Sequence, residues 1–133
     1  MSRSGALVIA ILLATPIALG EGWECRNEAV EIFCDAEACS VSETHTPMHV
    51  HFDEHRLSVC AYTGCWEGEA SITASAGQFL WAAGDALPFS TLPDSAADIA
   101  LQLDRETQIA TLIVSGSFAH PMRCSAWPAV SEN

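Results

Sequence analysis

The chain has 133 residues, half of them hydrophobic, with 17 acidic side chains, five arginines and no lysine. A net charge of −12 repels phosphate backbones, which excludes nucleic acid as a partner, and no basic arm is present for anionic lipid. No stretch after the first 20 residues is long and apolar enough to be a transmembrane helix.

In chain order, the first expected element is a leader. Arg3 opens a positive n-region, Ala6 to Ala14 is almost unbroken apolar sequence, and Ala18-Leu19-Gly20 supplies small residues two apart. These are the parts of a secretory signal peptide over residues 1–20, cleaved before Glu21. The mature chain is then 113 residues (133 less 20), with Arg26, Arg56, Arg105 and Arg123 against all 17 acids, a net charge of −13. Cys25 stands four residues past the cut, too late for a lipid anchor. A soluble periplasmic or extracellular protein is expected.

All six cysteines lie in the mature part. An even count in a small exported domain reads as disulfides, and six cysteines allow 15 pairings. Spacing narrows the choice. Cys34 and Cys39 flank four residues, as do Cys60 and Cys65. A reversal over four residues brings Cα atoms within the ~4.4–6.8 Å that a bridge needs. The expected pairs are Cys34–Cys39 and Cys60–Cys65, leaving Cys25–Cys124 to tie the ends together. The rival is a zinc-thiolate site from the two C-x4-C pairs, but that spacing is wider than the usual knuckle and an oxidising compartment favours disulfides.

Two-residue alternation outweighs helical periodicity. Expected strands are Val30–Phe33, Ser40–Ser42, Pro47–Phe52, Leu57–Tyr62, Glu69–Ala74, Gln78–Ala83, Ile99–Leu103 and Gln108–Val114. Turn signals separate them at Thr63-Gly64, Ala76-Gly77, Gly84-Asp85 and Ser115-Gly116. One hairpin is expected to turn through Asp53–Arg56, pairing Phe52 with Leu57, Val50 with Val59 and Met48 with Ala61. A second is expected to turn through Asp104–Thr107, placing Leu103, Leu101 and Ile99 on one face with Gln108, Ala110 and Leu112. In each, the leading Asp bonds its own backbone. Gly84–Asp98, with Pro88 and Pro93, reads as a long loop with a short helical turn after Pro93. Trp81 and Phe79 alternate toward the core, Trp23 and Trp127 flank the Cys25–Cys124 bridge, and Ser125–Asn133 is a short tail. About eight short strands in one domain give an all-β fold, a small antiparallel β-barrel or sandwich, disulfide-stapled.

Chemistry-bearing residues are few. Four of the five histidines fall in His45-x3-His49-x-His51-x3-His55. His49 and His51 on one strand share a face about 6.6 Å apart, a spacing that can chelate zinc or copper, with His45 the candidate third ligand. Below pH 6 the same segment gains positive charge. Trp66 with Glu67 and Glu69 is the candidate partner-binding patch, since exposed tryptophan is enriched at binding hot spots. Asp35 and Glu37 match no calcium loop and read as solvated surface. No G-x-S-x-G, phosphate-binding loop or dinucleotide fingerprint occurs, so an enzyme is not expected.

A non-enzymatic binding module for a basic protein or peptide is the leading expectation, because an acidic field speeds encounter with cations. Histidine-mediated metal binding and a solubilising envelope protein are the alternatives. The layout is similar to that of small periplasmic lysozyme inhibitors, barrels of about this size with a disulfide. That resemblance implies architecture and a cationic lysozyme as candidate partner. Their Ser-Gly…Tyr inhibitory loop is not found here, so no residue role carries over.

Overall fold

The computed structural model describes residues 21–116 and 118–128, without the side chains of 21, 71–74, 127 and 128. The expected leader, residues 1–20, lies outside the described residues, as does the end of the tail, 129–133. Among the described residues every regular element is a strand: β1 (Glu21–Asn27), β2 (Glu31–Cys34), β3 (Cys39–Ser42), β4 (His49–Phe52), β5 (Arg56–Ala61), β6 (Gly64–Glu69), β7 (Ser71–Ala76), β8 (Phe79–Phe89), β9 (Leu92–Asp104), β10 (Ile109–Val114) and β11 (Phe118–Pro128).

Eight of them form a closed antiparallel barrel in the order β1-β4-β5-β6-β8-β9-β10-β11, completed by β11 pairing back on β1 from Glu21↔Pro128 to Asn27↔Met122. The β2–β3 hairpin adds to β11 at Phe118 and Ala119, and β7 adds to the first half of β8. Closure removes the exposed edges that an open sheet of this size would carry.

Alternation decides what fills the barrel. In β4 and β5, Val50, Phe52, Leu57 and Val59 turn inward and are at most 2% exposed. Leu101, Leu103 and Leu112 meet them from β9 and β10. The first expected hairpin holds in register, with Phe52↔Leu57 and Val50↔Val59. Asp53 Oδ1 accepts from the backbone N–H groups of His55 and Arg56 at 2.8 and 2.9 Å, which sets the turn.

The second hairpin is displaced by two residues from expectation: Leu103 faces Ala110, and Leu101 faces Leu112. Gln108 belongs to the turn. It takes φ +59° and donates its N–H to the Asp104 carbonyl at 2.8 Å. A slip of two preserves which side chains face inward, so the expected core set survives.

Gly84–Asp98 is strand rather than loop, with no helical turn after Pro93. β8 and β9 run through it as one long hairpin, with a bulge between Gly84 and Leu87 and a tight turn at Ser90-Thr91. Pro88 occupies the stretch of β8 between the end of its pairing with β7 at Ala83 and its pairing with β6 at Phe89, where a missing N–H disrupts little. At Gly68 the Leu87 side chain packs closely over the β6 backbone. A Cβ there would lie 2.7 Å from Leu87 Cδ2.

In the first half of β8, Leu80 and Ala82 are buried, not Phe79 and Trp81; the two aromatic side chains are half-buried on the outer face. Ser125–Pro128 extend β11 rather than forming a tail.

The six cysteines are joined as Cys25–Cys124, Cys34–Cys39 and Cys60–Cys65, with Cα separations of 4.0, 4.1 and 4.0 Å. Each bridge links residues directly opposite each other on neighbouring strands. Three such bridges fit an oxidising, extracytoplasmic compartment.

A buried polar knot holds the β3–β4 connection to the barrel. Asn27 Nδ2 donates to the Thr46 carbonyl at 2.7 Å and lies 3.3 Å from His120 Nδ1, while Met48 N–H donates to Asn27 Oδ1 at 2.7 Å. His120 is fully buried, and its Nε2 has no hydrogen-bond partner among the described residues. Burial pushes its pKa below the ordinary histidine range; the Glu31 carboxylate opposes this and His45 adds to it. The fold therefore favours the neutral ring. His120's contribution to stability is whole above the unfolded value near 6.5 and is lost as pH falls through the lowered folded value. The urea midpoint should be level from pH 8 to 7 and decline below 6.5, and His120→Phe should flatten part of that decline. His51, lowered in the same direction, accounts for another part. An unchanged slope in His120→Phe would rule this out.

Candidate functional site

Because side chains alternate along each strand, the outer wall of the barrel can be read as rows across neighbouring strands. The wall has two unlike halves.

Over β1, β4, β5 and β6 the rows are polar. Glu24, His51, Ser58 and Glu67 stand opposite one another in one row, and Arg26, His49, Cys60 and Cys65 in the next. His49 and His51 flank the inward Val50 and so share the outer face, their ring centroids 4.2 Å apart. The third member of this group is Glu24, whose Oε1 lies 2.7 Å from His49 Nε2 and 3.1 Å from the Arg26 guanidinium. Ligand atoms of Glu24, His49 and His51 all lie within 4.8 Å of one another. The hydrogen bond to His49, and then that to Arg26, hold the Glu24 carboxyl below its usual range. Burial, then the neighbouring His49, lower His51. Both shifts favour an ionised Glu24 carboxylate opposite a neutral His51 ring.

His45 is not part of this group. It lines a groove of about 500 Å³ together with Arg26, Asn27 and Tyr62, and its Nδ1 is buried without a partner among the described residues. His49 lines the same groove, but the set of ligand atoms within 4.8 Å of one another is completed by Glu24 and not by His45. Glu24 was outside the sequence reading because β1 was not expected to be a strand. The alternation of Trp23 and Cys25 with Glu24 and Arg26 is the signal that would have found it.

The expected partner patch is divided by the same alternation. Glu67 and Glu69 are exposed on the outer wall, but Trp66 turns the other way, packs on Phe89 with ring centroids 4.7 Å apart and lies half-buried against the core. Trp66 is therefore a packing residue and does not form one surface with the two glutamates.

Over β8 to β11 the outer wall is more apolar, and one of its rows is wholly so. Ala83, Ala100, Ile113, Ala119, Ile32 and Val41 form one row across β8, β9, β10, β11, β2 and β3. The row beside it runs Trp81, Gln102, Thr111, Pro121, and the next runs Phe79, Asp104, Ile109, Arg123. Ile109 and Ile113 are each 48% exposed and Val41 is 68% exposed. The three rows contain two charged side chains, Asp104 and Arg123. A groove of about 320 Å³ lined by Ile109, Pro121, Met122 and Arg123 opens along this side, with Glu28 at its border. No sequence expectation covered this half, because its rows join residues up to 87 positions apart (Ile32 and Ala119).

No family model matches the chain, and no curated protein or solved structure matches it.

Proposed function

We propose that this is a non-enzymatic binding module of the periplasm or extracellular space that engages a cationic, amphipathic protein or peptide through the outer wall of β8–β11. The observation that carries the reading is the unbroken apolar row from Ala83 to Val41, with Ile113 48% and Val41 68% exposed. Contiguous exposed apolar surface rimmed by polar residues is characteristic of interaction sites. Around it stand Asp98, two residues before Ala100 on β9, Glu106 in the β9–β10 turn beside Arg105, and Glu28, which borders the groove and pairs with Arg123 at 3.1 Å; the chain as a whole carries the acidic field. A partner with an apolar contact face and surrounding lysines or arginines meets both features. The acidic field speeds its approach and the apolar row holds it. A protein whose role was only to remain soluble in salt would gain nothing from this wall.

Titration calorimetry of the mature, disulfide-bonded protein with a cationic lysozyme and with a leucine–lysine amphipathic peptide tests the reading. Binding should weaken several-fold between about 50 and about 300 mM salt. Ile109→Asp with Ile113→Asp should weaken it about tenfold or more. Failure of both probes to bind, or unchanged affinity in the double variant, would defeat the proposal.

A further inference from the structure

We propose a second, independent site on the other half of the wall: Glu24, His49 and His51 bind a divalent first-row transition ion, with zinc and copper the ions that suit the donors. The argument begins with backbone. β4 projects two imidazoles to one face, and β1, its neighbour in the barrel, places a carboxylate directly opposite His51. The register is not free to slip, because Cys25 and Val50 between these residues are fully buried.

Two imidazoles and a carboxylate are a donor set typical of zinc sites that keep a coordination position open. Zinc bonds of 2.0–2.2 Å place ligand atoms about 3.3 Å apart in a tetrahedron. The three donors already lie within 4.8 Å, so side-chain rotation alone closes the set. His49 and Glu24 are in contact at 2.7 Å and about one third exposed, which leaves an entry path from solvent. The competing cation is Arg26, an exposed guanidinium paired with Glu24 at 3.1 Å. Such exposed pairs are weak and yield to a divalent ion. The neighbouring group Cys60, Cys65 and Glu67 offers no equivalent site, because both sulfurs are committed to a disulfide. Three protein ligands leave at least one position for water or an incoming donor.

Calorimetry with zinc chloride, and separately copper chloride, in a non-coordinating buffer at pH 7.5 provides the test. One ion per chain should bind. Glu24→Gln and His51→Ala should each weaken binding at least about tenfold. His45→Ala should leave affinity unchanged. Thermal melts of each variant without metal check folding, and zinc should raise the melting midpoint of the parent but not of the two ligand variants. Absence of binding by the parent, parent-like affinity in Glu24→Gln and His51→Ala, or an equal loss in His45→Ala would overturn the site. These outcomes are separate from those of the partner test, which alters only β10.

Discussion

Replacing Cys25 and Cys124 together with alanine is expected to cost about 4–5 kcal/mol of unfolding free energy, against about 2 kcal/mol for the Cys34–Cys39 pair. The difference comes from loop length. Cys25 and Cys124 are 99 residues apart in sequence, whereas the other bridges span five. In the chain-entropy picture, the long crosslink removes far more freedom from the unfolded chain. Its position strengthens the effect. β1 and β11 are the strands whose pairing closes the barrel, and Cys25 and Cys124 are opposed in the middle of that pairing, both buried. Without the bridge, closure depends on strand pairing alone. Urea titrations of both double variants, followed by tryptophan fluorescence, measure the two costs. Equal losses would mean that loop closure is not what the long bridge contributes.

Leu112→Ala should cost about 2–5 kcal/mol, while Ile113→Ala, one residue further along β10, should change stability by less than about 1 kcal/mol. Leu112 is fully buried and faces Leu101 across the barrel wall, so truncation leaves a cavity in a packed interior. Ile113 points outward, 48% exposed, and loses little in the free protein. The contrast tests the alternation on which the apolar outer wall depends. Similar costs at the two positions would place Ile113 in the core and remove the basis for a docking face. If Ile113→Ala leaves stability intact but weakens partner binding, the residue acts at the interface.

Much of the molecule was legible where the deciding interactions are short-range. The Cys34–Cys39 and Cys60–Cys65 bridges follow from four-residue reversals, and Cys25–Cys124 then follows by elimination. The Asp53 turn and the alternation of Val50, Phe52, Leu57 and Val59 specify a hairpin without reference to the rest of the chain. Legibility failed where a local signal has a different meaning in context. Gly84, Pro88 and Pro93 resemble a loop, yet in the barrel Gly84 opens a bulge, Pro88 lies in β8 and Pro93 near the start of β9, so one long hairpin runs through them. Phe79 and Trp81 resemble a core face by size, but the smaller Leu80 and Ala82 face inward because the barrel interior is already filled by large side chains from β4, β5, β9 and β10. β6 and β11 carry too few large aliphatic residues to show strong alternation; GCWEGE and FAHPMRCSAWP become strands through the neighbours that pair with them.

Composition, cysteine spacing and period-two alternation suffice to identify an acidic, disulfide-stapled β domain and to sort most side chains into inner and outer sets. They do so because each depends on residues a few positions apart. Which outer residues become neighbours was decided only when the barrel closed. Glu24 meets His51 because the β2–β3 hairpin stands outside the ring and lets β1 pair with β4, and the apolar row joins residues from six strands. Alternation specifies a face but carries no information about lateral order. That order is chosen by the packing of the whole interior and by the β1–β11 closure.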